Sequence, residues 1–160
     1  MKALYPGTFD PLTNGHLDIV GRASRMFEEV VVAVSDHGRK NTLFGLKERC
    51  QMIEEACAGM KNVRVVAFDN LAVTCAKLHQ CKAIIRGLRM TSDFEYEFTM
   101  AKYMAEQDAE IQPVYLMADA KLTHISSTSV KEIAKLGGDI AAYVPPHILA
   151  HLQEKIARVL

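Results

Sequence analysis

The sequence has no excess of charge of either sign. Its 19 lysines and arginines are matched by 19 aspartates and glutamates, so the formal net charge at pH 7 is zero. Proteins that coat nucleic acids or anionic membranes through phosphate contacts depend on an excess of Lys and Arg. We therefore expect neither a nucleic acid nor a membrane as partner, although a small, locally basic pocket remains compatible with the composition.

The sequence also lacks paired cysteines and long apolar runs. No CxxC motif occurs, so we expect neither a disulfide framework nor a zinc knuckle, but reduced thiols in packing positions. These thiols belong to Cys50, Cys57, Cys75 and Cys81. No apolar run approaches the ~20 residues that a membrane span needs, and Pro6 interrupts the amino-terminal segment before a signal-peptide core could form. We expect a cytoplasmic protein.

Two common phosphate-binding signatures are absent as well. The sequence contains neither a P-loop, GxxxxGKS or GxxxxGKT, nor the dinucleotide fingerprint GxGxxG. Both signatures place glycines so that a loop can wrap a phosphate group. The P-loop and classical dinucleotide-binding interpretations are therefore excluded.

The sequence does contain short apolar, β-branched runs that alternate with amphipathic helical stretches along all 160 residues. This alternation is typical of a parallel α/β sheet. We predict an α/β fold with one domain, residues 1–160, built on a doubly wound, five-stranded parallel sheet of Rossmann-like type. The strands are predicted at Lys2–Tyr5, Val30–Ser35, Val63–Phe68, Ala83–Arg86 and Pro113–Met117. The helices are predicted at residues 15–27, 46–58, 71–80, 93–108, 128–136 and 147–159.

The segment that leaves the first predicted strand is the first candidate site, because ligands of such sheets bind beyond the carboxyl ends of the strands. It reads YPGTFDPLTNGH and leads into a helix that opens near Asn14 or Gly15. Free N–H groups and the dipole at a helix start both favour a phosphate, to which His16 could donate. Alternatively, Asn14 is an ordinary N-cap and His16 a surface residue.

Arg86 and Arg89 flank Gly87 where the fourth predicted strand ends. Each guanidinium could present a fork of donors to phosphate oxygens. The alternative is an internal ion pair with Asp93 or Glu97, and both interpretations could hold at once. For Asp93 and its neighbour Glu95, the start of a helix is a sufficient explanation, because the helix dipole favours carboxylates there.

Two further loops carry candidate groups. The run LTHISST, residues 122–128, opens a helix with more hydroxyls than capping alone requires, and Lys131 follows one turn later. We expect Lys131 at the same edge of the sheet as the other basic groups. The loop HGRK, residues 37–40, is either a solvated turn or the carrier of a lysine that closes over phosphates.

The segment YPGTFDPLTNGH resembles the signature of the TxGH/HxGH nucleotidyltransferase superfamily, with Thr13-Asn14-Gly15-His16 as its core. The segment ISSTSVK, residues 125–131, is similar to the second hallmark of that superfamily. With IRGLR at residues 85–89 and DFEYE at residues 93–97, the sequence resembles the bacterial phosphopantetheine adenylyltransferase family over essentially the whole chain.

This resemblance implies reversible transfer of an adenylyl group from ATP to 4′-phosphopantetheine, which yields dephospho-coenzyme A and pyrophosphate in a late step of coenzyme A biosynthesis. The acceptor phosphate would attack the α-phosphorus directly and in line, with no covalent intermediate. Mg²⁺ would enter on the ATP phosphates, without protein ligands of its own. The resemblance also implies a homohexamer and coenzyme A as a feedback ligand.

The resemblance further assigns roles to single residues. It implies that His16, Lys40 and Arg89 are catalytic, with Arg39 as the alternative to Lys40 for the closing cation. It implies that the acceptor is held by Thr8, Lys40, Ala72 and Arg86. It implies that ATP is bound by Thr8, Phe9, His16, Gly87, Leu88, Arg89, Glu97, Leu122, Thr123, His124, Ile125, Ser126, Ser127 and Thr128.

Two other functions remain open. A nucleotidyltransferase of the same superfamily that uses nicotinamide mononucleotide, or glycerol phosphate with CTP, would share the TxGH chemistry. A sensor that holds ATP without turning it over could share the sheet. Such a sensor is expected to lack the histidine or the loop lysine, whereas this sequence has both His16 and Lys40.

Overall fold

The computed structural model describes residues 1–36 and 42–158 of the protein. Within these residues, five parallel strands form one sheet in the order β3-β2-β1-β4-β5. The strands are β1 (Lys2–Gly7), β2 (Glu29–Ser35), β3 (Val63–Phe68), β4 (Ala83–Leu88) and β5 (Gln112–Met117). The helices are α1 (Asn14–Met26), α2 (Leu46–Ala56), α3 (Ala72–Leu78), α4 (Thr91–Gln107), α5 (Ser127–Lys135) and α6 (Pro146–Ala157).

The strand order creates a topological switch point between β1 and β4. From β1 the chain winds outward to β2 and β3, and it then returns to the other side of β1 to form β4 and β5. Ligands of doubly wound sheets bind in the crevice at such a point. β1 pairs with β4 only through Ala3 and Leu4, whereas its pairing with β2 continues to Gly7. The two central strands therefore separate from Tyr5 onward and leave a crevice.

Both faces of the sheet are covered by apolar residues. In β2, Val30, Val32 and Val34 belong to the larger core cluster, which also contains buried residues of α1 and α6. The alternate residues Val31 and Ala33 belong to a smaller cluster with buried residues of α3. Successive side chains of a strand point to opposite faces, so this division places one cluster on each side of the sheet. Burial on both faces explains why the strands read as nearly continuous apolar runs.

The predicted fold class is confirmed, and all five predicted strands are present. The main difference is at the carboxyl ends of the central strands, where β1 continues to Gly7 and β4 to Leu88. Pro6 suggested an earlier end to β1, yet a proline is tolerated where pairing on one side of a strand has already ended. All four cysteines are free thiols, and three of them are buried. Among the described residues, no helix is long and apolar enough to cross a bilayer.

Candidate active site

A pocket of about 550 Å³ opens at the carboxyl edge of the sheet, above the crevice between β1 and β4. It brings together the three segments that the sequence singled out after β1, after β4 and before α5. The predicted site residues that line it are Thr8, His16, Ala72, Arg86, Gly87, Arg89, Glu97, Leu122, Ile125, Ser126 and Ser127. Residues far apart in the chain thus share one concave surface.

Other predicted site residues do not belong to this lining. Phe9 and Leu88 are buried in the core, and Thr123 donates its hydroxyl hydrogen to the carbonyl of Ala120. The exposed His124 ring packs edge-on against the Tyr143 ring. Thr128 is exposed on the first turn of α5. Lys40 and Arg39 lie outside the described residues.

Thr13 caps the first helix and binds His16 in a reciprocal arrangement. The Thr13 hydroxyl oxygen accepts from the His16 backbone N–H at 3.4 Å, and the His16 ring nitrogen Nδ1 accepts from the Thr13 backbone N–H at 3.1 Å. Histidine here takes the place that Glu or Gln holds in the usual capping box. The interpretation of Asn14 as N-cap is wrong. Asn14 is the first helical residue, and its side chain donates instead to the carbonyl of Ala142.

This capping box determines which nitrogen of the His16 ring carries the proton. A backbone N–H can only donate, so Nδ1 must present its lone pair to Thr13, and a neutral ring then carries its hydrogen on Nε2. The Phe9 ring packs edge-on against His16, with 5.1 Å between the ring centroids. His16 is partly buried and lines the pocket. It therefore offers Nε2–H as its donor for a ligand.

The electrostatic surroundings keep His16 neutral. Burial, and secondly the positive charge of Arg89, lower the pKa of the imidazole from 6.5 to about 4. Both effects penalise the charged form of the ring. At neutral pH, His16 is consequently a fixed hydrogen-bond donor without a net charge, rather than the surface residue of the alternative interpretation.

The position of the Phe9 ring requires a glycine at residue 7. A Cβ atom at Gly7 would lie 2.7 Å from the Phe9 ring, closer than real Cβ contacts allow. Phe9 itself adopts a left-handed backbone conformation, with φ of 49°, which turns the chain sharply after Thr8. The close approach of Gly7 and Phe9 thus holds the aromatic ring where it supports His16.

Arg86 is held by a bidentate ion pair with Glu97. Its Nε donates to Glu97 Oε2 at 2.7 Å, and its Nη2 donates to Oε1. Glu97 is buried and lies on α4, so the pair fixes the guanidinium against that helix. A guanidinium has five N–H donors and this pair uses two, which leaves the others for a ligand. The ion-pair interpretation is confirmed, and it coexists with a place for Arg86 in the pocket lining.

Arg89 also has an acidic neighbour, because its Nε lies 3.5 Å from Asp93 Oδ2. The same Asp93 oxygen accepts from the backbone N–H groups of Arg89 and Met90. Asp93 therefore caps the start of α4, as the helix-start interpretation predicted. Glu95 is exposed on the same helix.

The hydroxyl-rich run forms the start of α5. Ser126 is its N-cap and accepts from the Ser129 backbone N–H at 3.0 Å, while the hydroxyls of Ser126 and Ser129 are 2.8 Å apart. Ser127 donates to the carbonyl of Pro11 at 2.8 Å, which ties α5 to the loop after β1. With Ser126 and Ser127 in the lining, the amino end of α5 borders the pocket, where N–H groups and the helix dipole favour an anion.

Lys131 lies at the expected edge of the sheet, where it pairs with Asp10 in the loop after β1, although it is not among the residues that line the pocket. Its ammonium lies 2.5 Å from the Asp10 carboxylate, which is 4% exposed. The same carboxylate accepts from the backbone N–H groups of Leu43 and Phe44, each at 2.9 Å. Lys131 therefore balances a buried carboxylate that holds three segments together.

Several lining residues were missed by sequence reasoning. Tyr5 and Ser35 are the last residues of the first and second predicted strands, and this position, next to the edge where ligands bind, was the available signal. Phe68 and Leu71 add an apolar part to the lining. Sequence reasoning also missed Arg49, a buried residue that does not line the pocket but bonds to the carbonyls of two lining residues, Thr8 and Ser35. Its position three residues after Leu46 and four before Ile53, within the apolar stripe of α2, was the available signal.

The chain is similar in sequence to known proteins of one family. The family model described as cytidylyltransferase-like matches residues 4–133. A phosphopantetheine adenylyltransferase of Methylococcus capsulatus is 48% identical over 157 residues, covering 98% of this chain and 97% of that protein. A phosphopantetheine adenylyltransferase of Campylobacter curvus is 47% identical over 152 residues, covering 95% of this chain and 97% of that protein.

Among solved structures, the fold matches a protein of Vibrio parahaemolyticus that is proposed to be a nicotinate-nucleotide adenylyltransferase. The TM-score is 0.71 at 20% identity, and the match covers 99% of this chain and 96% of the other. At this identity the likeness supports the fold alone.

The state of His16 leads to a testable expectation for pH. The folded protein should bind a proton at His16 only near pH 4, whereas an unfolded chain binds it near 6.5. The stability contributed by neutral His16 is therefore complete above about pH 6.5 and is lost as the pH falls toward about 4. The measurement is an NMR titration of the imidazole resonance that disappears in His16→Gln.

The same substitution provides a second readout. Between pH 6.5 and 4, the urea-derived free energy of unfolding should fall less steeply with decreasing pH in His16→Gln than in the wild type. A wild-type titration midpoint near 6.5 would contradict the burial of the ring in its neutral form.

Proposed function

The chain belongs to the phosphopantetheine adenylyltransferase family, within the cytidylyltransferase-like nucleotidyltransferases, and from this premise we propose that it transfers the adenylyl group of ATP to 4′-phosphopantetheine. The products are dephospho-coenzyme A and pyrophosphate, and the reaction is reversible. The observation that carries the proposal is the neutral His16 donor, fixed in one pocket with Arg86, Arg89 and the amino end of α5. One domain, residues 1–160, carries the whole reaction.

The chemistry requires no nucleophile from the protein. A phosphate monoester is itself an anionic nucleophile, and its oxygen attacks the α-phosphorus of ATP while pyrophosphate leaves on the opposite side. The protein has to overcome repulsion between two anions, align them and stabilise the charge that develops on the equatorial oxygens. Cations and hydrogen-bond donors perform these tasks, and the pocket lining contains both.

His16 is the donor to the transferring group. Its Nε2–H donates to an oxygen of the α-phosphoryl group, where negative charge increases in the transition state. Such a donor acts most strongly when its position is fixed before the reaction begins. The Thr13 backbone N–H and the Phe9 ring provide that fixation, since both contact the imidazole from within the protein.

The acceptor is held by Thr8 and Arg86. The Thr8 hydroxyl and the donors of Arg86 not used by Glu97 bind its phosphate, and main-chain atoms of Ala72 contact the pantetheine arm. The apolar lining residues Phe68 and Leu71 suit that arm. Lys40 is included in the proposal on its sequence position alone, as a cation that closes over the acceptor phosphate.

ATP is held by Arg89 and the start of α5, which bind its β- and γ-phosphates. The backbone from Gly87 to Arg89 and the segment from Leu122 to Ile125 border the nucleotide, and Glu97 lies at its adenosine end. Among residues 1–36 and 42–158, no group of three or more His, Cys, Asp or Glu side chains is arranged to hold a metal ion. Mg²⁺ would enter as part of the substrate, bound to the phosphates of ATP, where it would neutralise part of their negative charge.

Two regulatory and assembly properties belong to the same proposal. Coenzyme A contains the adenylyl and pantetheine groups of the product, so it can occupy the same pocket and act as a feedback ligand.

The assembly is a homohexamer that uses α4 as a contact surface. The four free thiols support a reducing, cytoplasmic location, because disulfides are rare in that compartment.

The proposed activity predicts which substrate pair releases pyrophosphate. In the presence of Mg²⁺, ATP with 4′-phosphopantetheine should give rapid release, because the pocket offers donors for one triphosphate and one monoester. ATP with nicotinamide mononucleotide, and CTP with glycerol phosphate, serve as matched alternatives in the same assay. Faster release with either alternative would replace the proposed acceptor, and ATP binding without any release would favour the sensor.

The role of His16 predicts a selective loss of turnover. His16→Ala should lower kcat about 100-fold or more, in the range found when a donor to a developing oxyanion is removed. ATP affinity should stay nearly unchanged, because the interaction strengthens mainly in the transition state. Steady-state kinetics and calorimetric ATP titration measure both quantities. His151→Ala, an exposed substitution on α6, is the control, and an unchanged kcat in His16→Ala would remove the proposed role.

The exposed aromatic side chains of α4 predict self-association. Outside the pocket lining, the side chains of Phe94, Phe98 and Tyr103 are 47–57% exposed, an unusual number of exposed aromatic rings for one helix. Light scattering should give a mass six times that of the chain. Phe98→Glu combined with Tyr103→Glu should lower that mass, whereas Leu136→Glu, at a position 89% exposed beyond α5, should not. A monomeric wild type would contradict the hexamer without affecting the proposed reaction.

A further inference from the structure

Arg49 is a buried cation that no step of the proposed reaction uses. It lies on α2 and is 3% exposed. Its Nη1 donates to the carbonyl of Thr8 at 2.7 Å and to that of Ser35 at 2.9 Å, and its Nε donates to the carbonyl of Phe44 at 3.2 Å. One guanidinium thus joins the loop after β1, the end of β2 and the segment that precedes α2.

The charge of Arg49 is not compensated by an ion pair among residues 1–36 and 42–158. Within the part of the chain that the structure describes, no carboxylate lies within 4.0 Å of its guanidinium. Burying a charge is costly unless hydrogen bonds and other charges compensate it. A requirement for packing alone would be met by Met or Leu at this position. The three hydrogen bonds therefore indicate that this arginine is needed for the arrangement of the carbonyls that it holds.

Two of the three carbonyls belong to residues that line the pocket. Thr8 follows β1 and Ser35 ends the neighbouring strand β2, and because both carbonyls bond to the same nitrogen, the distance between the two chain segments is fixed. A planar fork restricts the directions of its partners more than a flexible ammonium does. Arg49 consequently sets the position of the Thr8 backbone, from which the Thr8 hydroxyl extends.

The hydrogen bond from Arg49 also orients the peptide group after Thr8. In a trans peptide the C=O and N–H bonds point in opposite directions. With the Thr8 oxygen directed at Arg49, the N–H of Phe9 points away from it. The partial negative charge of the carbonyl is held by the buried cation, and a donor rather than an acceptor is presented on the other side of the peptide. This orientation suits a neighbouring anion.

We propose that Arg49 is a positioning residue for adenylyl transfer, which holds Thr8 and the following peptide group in place for the acceptor phosphate. Arg49 contacts no substrate and acts through the Thr8 carbonyl. The inference rests on the proposed function, because it uses the role of Thr8 in acceptor binding.

A double-mutant cycle tests this dependence. Arg49→Lys keeps the positive charge and removes the fork, and Arg49→Met also removes the charge at similar length. Thr8→Val removes the hydroxyl through which Arg49 is said to act. Arg64→Met is the matched control, since Arg64 lies on β3 and pairs with Glu29 outside the pocket lining. Acceptor KM, kcat and the thermal midpoint are measured for every variant.

Each Arg49 variant is expected to raise the acceptor KM about tenfold, which corresponds to the loss of one charge-assisted hydrogen bond. The ATP KM should rise less than the acceptor KM, because ATP is also held by Arg89 and the start of α5, which Arg49 does not contact. In the Arg49→Lys background, adding Thr8→Val should have little further effect on acceptor KM, because the hydroxyl has already lost its position. Arg64→Met should leave both KM values unchanged.

The outcomes that overturn the proposal are separate from failure of the proposed function. Independent, multiplicative effects of Arg49→Lys and Thr8→Val on acceptor KM would show that Arg49 does not act through Thr8. Arg49→Lys with wild-type KM beside an impaired Arg49→Met would assign the effect to charge and overturn the role of the fork. If Arg49→Met does not fold, the double-mutant cycle of Arg49→Lys with Thr8→Val still tests whether Arg49 acts through Thr8. A wild type that shows no turnover with 4′-phosphopantetheine would overturn the proposed function instead.

Discussion

The early end of the pairing between β1 and β4 is the constraint on which the site depends. The two central strands pair only through Ala3 and Leu4, although both continue for several residues beyond that point. If the ladder had continued, the strands would have closed the space where Tyr5, Arg86 and Gly87 now face a pocket. Each strand keeps its outer partner beyond that point, β1 with β2 to Gly7 and β4 with β5 to Leu88. The carbonyls of Thr8 and Ser35 bond to a buried arginine, and the loop after β1 is tied to α5 by Ser127.

The polar groups of the pocket share one principle, which is that the protein occupies one side of each group and leaves the other for a ligand. His16 gives Nδ1 to the Thr13 backbone and keeps Nε2–H. Arg86 gives two of its nitrogens to Glu97 and keeps further donors. Ser126 caps α5 while it lines the pocket. Fixed donors lose little conformational freedom when a ligand binds, so the fold itself supplies the preorganisation on which phosphoryl transfer depends.

The strands and the three ligand-facing segments were predictable from sequence because their signals are local. Apolar β-branched runs indicate buried strands, and the spacing of Arg86 and Arg89 after such a run places both at the carboxyl edge. The cap of α1 was not predictable in the same way, since Thr13 and Asn14 are both good caps. The distant carbonyl of Ala142 decided between them by engaging the Asn14 side chain. The ion pair between Lys131 and Asp10 was not predictable for a similar reason, because the two residues are 121 positions apart in the chain.

The neutral His16 has a consequence for how the whole site responds to acidity. With the pKa of its imidazole near 4, this residue has the same charge at pH 5.5 as at pH 8. A phosphate monoester, in contrast, loses its second proton with a pKa near 6. Between pH 5.5 and pH 8, the ionisation of the acceptor phosphate changes, whereas that of His16 does not. The pH dependence of the reaction in this range therefore comes from the ionisation of the acceptor phosphate and not from that of His16.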